Sequence, residues 1–190
     1  MNYQMVLVGV GGQGILFSTK LLAETAIFMN HNVIGSETHG MSQRGGSVIS
    51  YLKIGNFLSP LVRTGLADIM LSFEINETYK NLKYIKRRND NANGGLVVVN
   101  ANTSIVSSIK IFIEQMGITL AVLNADQISK ELKSPLVSNL VLLGFASKYS
   151  QFPFQLKDLL ETAERISPSK FKSINKEALK WGFETEKTST

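Results

Sequence analysis

Four residues able to do chemistry fall within eight positions of one another: Glu37, His39, Gln43 and Arg44, in the run Ser36-Glu37-Thr38-His39-Gly40-Met41-Ser42-Gln43-Arg44-Gly45-Gly46-Ser47. A guanidinium followed by two glycines sets a planar pair of donors beside accessible backbone N–H groups. That arrangement suits a phosphate or a carboxylate. Glu37 and Arg44 can equally pair with each other and pin the loop. An imidazole such as His39 can serve as general acid or base, but no serine or other nucleophile is tied to it by a recognisable motif. A structural hydrogen-bonding role for His39 is the favoured reading, and Glu37, His39 and Arg44 stand as catalytic candidates only.

A second stretch near the start of the chain carries the other candidate chemistry. The apolar run Met5 to Val8 passes directly into Gly9-Val10-Gly11-Gly12-Gln13-Gly14, and an apolar-periodic segment follows. Strand, glycine turn and helix in that order present unpaired N–H groups and the positive end of a helix dipole to an anion. Gly9, Gly11 and Gly14 match the spacing G-x-G-x-x-G, and Glu37 follows Gly14 by 23 residues, where a dinucleotide site wants an acid for the ribose hydroxyls. A nicotinamide-binding oxidoreductase is therefore one reading. Two features oppose it. Gln13 is a large polar residue at the mouth of the helix, and after Glu37 the chain runs into a polar glycine-bearing loop instead of a second helix.

The elements that must position these residues follow from periodicity. Gly12 to Met29 reads as helix, Val33-Ile34 opens a strand towards Glu37, and Ser47 to Ile54 alternates as a strand does. Gly55-Asn56 is a hairpin signal, so Ser47–Ile54 and Phe57–Leu58 are expected to pair as an inserted β-ribbon. Ile69 to Phe73, Leu96 to Val99 and Thr119 to Leu123 are apolar strands. Helices are expected over Glu77–Ile85, Ser104–Met116, Ala125–Leu132, Leu136–Tyr149, Gln155–Arg165 and Ser169–Phe183, and Lys86 to Gly95 reads as an exposed loop. Near-continuous apolar strands separated by helices predict an α/β, Rossmann-like three-layer fold with a mostly parallel sheet. One domain over residues 1–183 is expected, with 184–190 as a flexible tail.

Composition narrows the function. The 190 residues are 44% hydrophobic and only 18% charged, which suggests that part of the surface is covered by another subunit. Cysteine is absent, so this chain supplies no thiolate to an iron–sulfur cluster or structural zinc, and with two histidines a metal site of its own is not expected. The net charge is +5, with clusters at Lys80–Arg88 and Lys170–Lys187. A nucleic-acid-binding module is the rival this charge raises, but no binding motif or aromatic interleaving accompanies it, and solvated helix faces explain it. No run of about 18 apolar residues or secretory signal is present, so no membrane association is expected and the cytoplasm is the expected compartment.

The two motifs together, GVGGQG at Gly9–Gly14 and SETHGMSQRGGSV at Ser36–Val48, resemble the gamma-type component of the 2-oxoacid:ferredoxin oxidoreductases, the indolepyruvate type in particular. The likeness extends to Ser59-Pro60-Leu61, the segment Ala67-Asp68 to Phe73-Glu74, the strand ending in Asn100, and Asn175 to Gly182 near the end of the chain. It implies a subunit of an enzyme that oxidatively decarboxylates a 2-oxoacid with coenzyme A, giving acyl-CoA and carbon dioxide and reducing ferredoxin. It further implies that thiamine diphosphate, Mg2+ and iron–sulfur clusters belong to a larger partner subunit, and that this chain is inactive alone. Pyruvate or 2-ketoisovalerate enzymes remain alternatives within the resemblance. Gly9, Gly11, Gly12, Gln13, Gly14, Glu37, His39, Gln43, Arg44, Gly45, Gly46 and Ser47 are the expected ligand or interface contacts.

Overall fold

The structure, a computed structural model, describes residues 1–39, 45–89 and 93–186; the side chains of Thr38 and His39 lie outside that description. The sheet is built from β1 (Tyr3–Val10), β2 (Val33–His39), β3 (Ser47–Ile54), β4 (Ile69–Ser72), β5 (Leu96–Asn100) and β6 (Thr119–Leu123), in the order β2-β3-β1-β4-β5-β6. Along that order the neighbours from β1 to β6 run parallel, while β3 is antiparallel to both β1 and β2. Among the described strands only β3 therefore runs against the rest, and the expected mostly parallel α/β sheet is what forms.

Strands that are apolar on both sides demand cover on both faces. On one face Met5, Leu7, Leu52, Ile69, Leu71 and Val98 pack against α1 (Ile15–Phe28), α5 (Ser138–Ala146), α6 (Leu156–Ile166) and α7 (Lys172–Glu184). On the other, Val6, Val8, Tyr51, Met70, Val97 and Val99 meet α3 (Ser107–Gln115), Ile75 of α2 (Ile75–Asn81) and the buried Val62. The short α4 (Ala125–Glu131) follows β6. Three layers result.

The pairing expected for the inserted strand is corrected. β3 does not turn back on Phe57–Leu58; it lies between β1 and β2, with Tyr51 opposite both Val6 and Ser36. The reason is burial: Leu52 and Ile54 enter one core and Tyr51 the other, which a two-stranded ribbon on the surface cannot provide. The Gly55 N–H is taken by the Asn32 carbonyl at 2.8 Å, tying the end of β3 to the turn before β2. The inserted ribbon is thus β2 with β3, joined through a connection that includes residues 40–44, which lie outside the described residues.

This topology positions the site. From β1 the chain first travels to one side of the sheet (β2, β3) and then to the other (β4, β5, β6). The crevice between the carboxyl ends of β1 and β4 is the switch point at which open α/β sheets bind ligands. Helix boundaries shift by a turn or less at most ends. α2 starts at Ile75 because the Glu74 carboxylate accepts the Glu77 N–H at 3.0 Å, and α7 runs to Glu184.

Candidate functional site at the carboxyl end of β1

The glycine turn bends as its composition requires. Gly12 has φ 102° and Gly14, the N-cap of α1, has φ 75°, a region costly for side chains with a Cβ. Much of the hydrogen-bonding capacity of the turn is already spent. The Gln13 side-chain oxygen accepts the Val10 N–H at 2.7 Å, the Gln13 N–H reaches the Val10 carbonyl at 3.2 Å, and the Gly11 N–H donates to the Gly46 carbonyl at 2.9 Å. Gln13 folds back over Gly9, where a Cβ would come within 2.6 Å of its oxygen and into tight contact with Ile15 at 3.0 Å and Phe73 at 3.1 Å. Among the described residues, the N–H groups of Gly12, Gly14 and the first turn of α1 take no backbone acceptor. These face outward from a helix N-terminus and suit one anionic group.

Two residues that the sequence reading did not single out hold this turn in place. Asn139, buried on α5, donates its amide to the Gly14 carbonyl and to the Ser18 hydroxyl, each at 3.1 Å. Its signal was a lone amide inside an otherwise apolar helix. Glu77 is 3% exposed, accepts a hydrogen bond from the Ser47 hydroxyl, and lies 2.6 Å from the Lys80 ammonium. The hydrogen bond from Lys80 to Glu77 pushes the Lys80 pKa above the ordinary lysine value. In the sequence Glu77 marks only the start of an expected helix, and the neighbouring β3 reveals its second partner.

The expected site residues divide accordingly. Ser47 pairs with Val10, and Gly46 bonds Gly11, so the two loops meet side by side at the carboxyl end of β1. The backbone of His39 lies level with Val48 and, through it, with Gly9. Gln43 and Arg44 lie outside the described residues. Glu37 is placed elsewhere than a dinucleotide site requires. It pairs with Ser50, which pairs with Leu7, so it sits level with Leu7 and two strands away from β1, about 10 Å at ordinary strand spacing. Its side chain is exposed beside a shallow groove of about 380 Å³ with Lys20, Gly35 and Ser36. Insertion of β3 has separated the acid from the glycine turn, and the nicotinamide reading loses its ribose ligand.

The resulting object is a Rossmann-like α/β domain whose glycine turn is bonded through Gly11 to Gly46 at the start of β3. The pyruvate ferredoxin/flavodoxin oxidoreductase family model matches residues 4–185, and the chain belongs to that family. It is 35% identical to the indolepyruvate oxidoreductase subunit IorB of Archaeoglobus fulgidus, over 96% of this chain and 94% of that protein. Identity to the subunit of the same name from Thermococcus kodakarensis is 32%, covering 98% and 96%. The fold matches the pyruvate oxidoreductase subunit PORC of Thermotoga maritima with a TM-score of 0.74 at 18% identity, over 99% of both chains. A 2-oxoglutarate:ferredoxin oxidoreductase chain from Magnetococcus marinus contains the same fold, with a TM-score of 0.67 at 20% identity; the match spans 96% of this chain but only 29% of that one.

Proposed function

We propose that this chain is the small subunit of a thiamine-diphosphate-dependent 2-oxoacid:ferredoxin oxidoreductase acting on an arylpyruvate such as indolepyruvate. The observation that carries this reading is near-full-length identity to IorB subunits, at 35% for the Archaeoglobus protein, against 27% over 76% of this chain for a 2-oxoglutarate synthase subunit. The complex would convert the 2-oxoacid and coenzyme A to acyl-CoA and carbon dioxide while reducing ferredoxin, in the cytoplasm.

The chemistry of the side chains supports a division of labour with a partner subunit. There is no cysteine to ligate a cluster, and no group of three or more histidines or acids among the described residues is arranged to hold a metal ion. No helix among the described residues is long and apolar enough to cross a membrane. Among the described residues no side-chain group is placed to hold the Mg2+ of thiamine diphosphate, and the chain has no cysteine for an iron–sulfur cluster; in this reading both cofactors fall to a larger partner subunit. The residues present do fit an anionic end of coenzyme A. That group supplies the thiol acceptor for the acyl product, and the Gly12, Gly14 and first-turn N–H groups, with Arg44, Gly45 and Gly46 from the adjoining loop, would hold a phosphate of it. Gln13 and Asn139 keep the turn rigid while they do so.

Replacing Arg44 with alanine tests this assignment in the reconstituted complex. The KM for coenzyme A is expected to rise about tenfold, the equivalent of one charge-assisted hydrogen bond, with the fold of the subunit unchanged by circular dichroism. An unaltered KM and turnover would remove the loop from the site. Purification from the native cell tests the subunit role itself: a larger, brown, thiamine-binding partner should accompany the chain, and the isolated chain should show no turnover.

A further inference from the structure

The opposite end of the sheet holds two cations, Lys53 and Arg63, that make no ion pair among the described residues. Lys53 lies on β3 level with Gln4, five residues before Gly9 and so about 17 Å from the glycine turn. Its side chain is only 7% exposed, and its ammonium sits 5.1 Å from the centre of the Phe57 ring. Among the described residues no carboxylate pairs with it; the charged group that acts on it is the exposed Arg63, of like sign. Burial, and then Arg63, lower the Lys53 pKa, as expected for an ammonium with no anion beside it. The stem of Lys53 is covered, while its ammonium rests over the Phe57 ring with no carboxylate beside it among the described residues.

The segment that brings Arg63 here is equally incomplete. Residues 57–66 form no helix or strand. Val62 anchors the segment in the core beneath Tyr51, yet Leu58 is fully exposed and Leu61 and Leu66 are about half exposed. Three outward leucines on one anchored segment that also carries the exposed Arg63, next to the unpaired Lys53 on β3, combine apolar and cationic surface as an interface does. We propose that this surface docks the larger catalytic subunit, through a carboxylate of that partner seated between Lys53 and Arg63 and apolar side chains covering the three leucines. The proposal rests on the subunit reading above and adds to it a second contact, remote from the glycine turn. Because the two cations would attract the partner's carboxylate and the leucines would bury area, both charge and apolar surface contribute.

The test uses the full chain and the larger subunit that copurifies with it, with affinity measured by calorimetry. Arg63→Glu reverses an exposed charge and Leu58→Ser removes an exposed side chain, so neither threatens the fold. Lys53→Met keeps the buried stem and removes the charge. Arg63→Glu and Lys53→Met are expected to weaken the complex about tenfold or more, and Leu58→Ser about fivefold, with coenzyme A affinity of the complex that does form unchanged. Wild-type binding together with unchanged affinity in all three variants overturns this docking surface and leaves the subunit reading standing. A wild-type chain that captures no larger subunit overturns both. Self-association of the isolated chain that disappears in Arg63→Glu would assign the surface to a second copy. Saturable binding of inorganic phosphate lost in Lys53→Met, with partner affinity unaltered, would assign it to a small anion; either result overturns the proposal.

Discussion

Gly14 and Gly144 are both glycines pressed by a neighbour, and the nature of that neighbour separates a turn that can be tuned from a contact that cannot. At Gly144 on α5, an added Cβ would strike the backbone carbonyl of Leu179 on α7, and at Gly182 on α7 it would strike that of Val141 on α5. The two helices meet backbone to backbone. At Gly14 the obstacle is the end of a side chain, the Asn139 amide, 2.6 Å from the position that a Cβ would take. One site is closed by main chain that cannot move without separating two helices, the other by a group that can rotate at the loss of two hydrogen bonds.

The comparison is broken most severely at the helix crossing. Gly144→Ala gains about 1 kcal/mol of helix propensity, but forcing α5 from α7 costs several times that, because overpacking against a backbone cannot be relieved by a rotamer change. A net loss of about 3 kcal/mol is expected in urea denaturation of the isolated chain. A neutral result would mean that the crossing is not a rigid contact.

Gly14→Ala should cost less, about 2 kcal/mol, divided between the left-handed backbone at φ 75° and displacement of Asn139. Asn139→Ala separates the two. Since it removes both the clash and the hydrogen bonds, the double variant should lose about 1 kcal/mol less than the sum of the singles. Strict additivity would show that Asn139 and Gly14 do not act as a unit.

Between these lies a pH-dependent contact on the opposite core face. Tyr51 donates to the Tyr84 hydroxyl at 3.0 Å, and burial first, then that partner, push its pKa up to about 12. A tyrosine whose folded pKa exceeds its unfolded value of about 10 contributes stability that is complete below pH 10 and is lost as pH rises towards 12, because the unfolded chain ionises first. The thermal midpoint should therefore fall between about pH 10 and 12 in the wild type and less steeply in Tyr51→Phe. Equal slopes would remove Tyr51 from the alkaline transition.

What the sequence disclosed follows the same division between local and distant causes. The parallel strands were legible because burial on both faces writes a continuous apolar run, as in Leu96–Val99, and the glycine turn because positive φ selects glycine at Gly12 and Gly14. The placement of β3 was not. Gly55-Asn56 has the composition of a hairpin turn, but what decides the pairing is whether Leu52, Ile54 and Tyr51 find cover, and that depends on β1 and β2 together. Glu77 and Asn139 escaped for the same reason: their partners, Ser47 and Gly14, are remote in the chain.

The smallest expected effect sharpens the boundary between the site and its solvated rim. Glu77 is buried and joins Ser47 to α2, whereas its other partner, Lys80, has a side chain 64% exposed. Lys80 has its pKa raised by Glu77, so its contribution is present at neutral pH and is lost as pH rises through its folded value. Water and salt screen it throughout. Lys80→Met removes the cation beside the buried Glu77 carboxylate, so it should lower the thermal midpoint modestly, and by less than a change that also breaks the Ser47 bond. Glu77→Ala, by contrast, removes the acceptor that ties the Ser47 hydroxyl to α2 and loosens the strand start whose Gly46 carbonyl holds Gly11. It should lower both stability and coenzyme A affinity in the complex, while Glu77→Gln, which keeps an acceptor for Ser47, should restore most of each. If Lys80→Met matches Glu77→Ala, the ion pair and not the Ser47 bond fixes the second loop against the glycine turn.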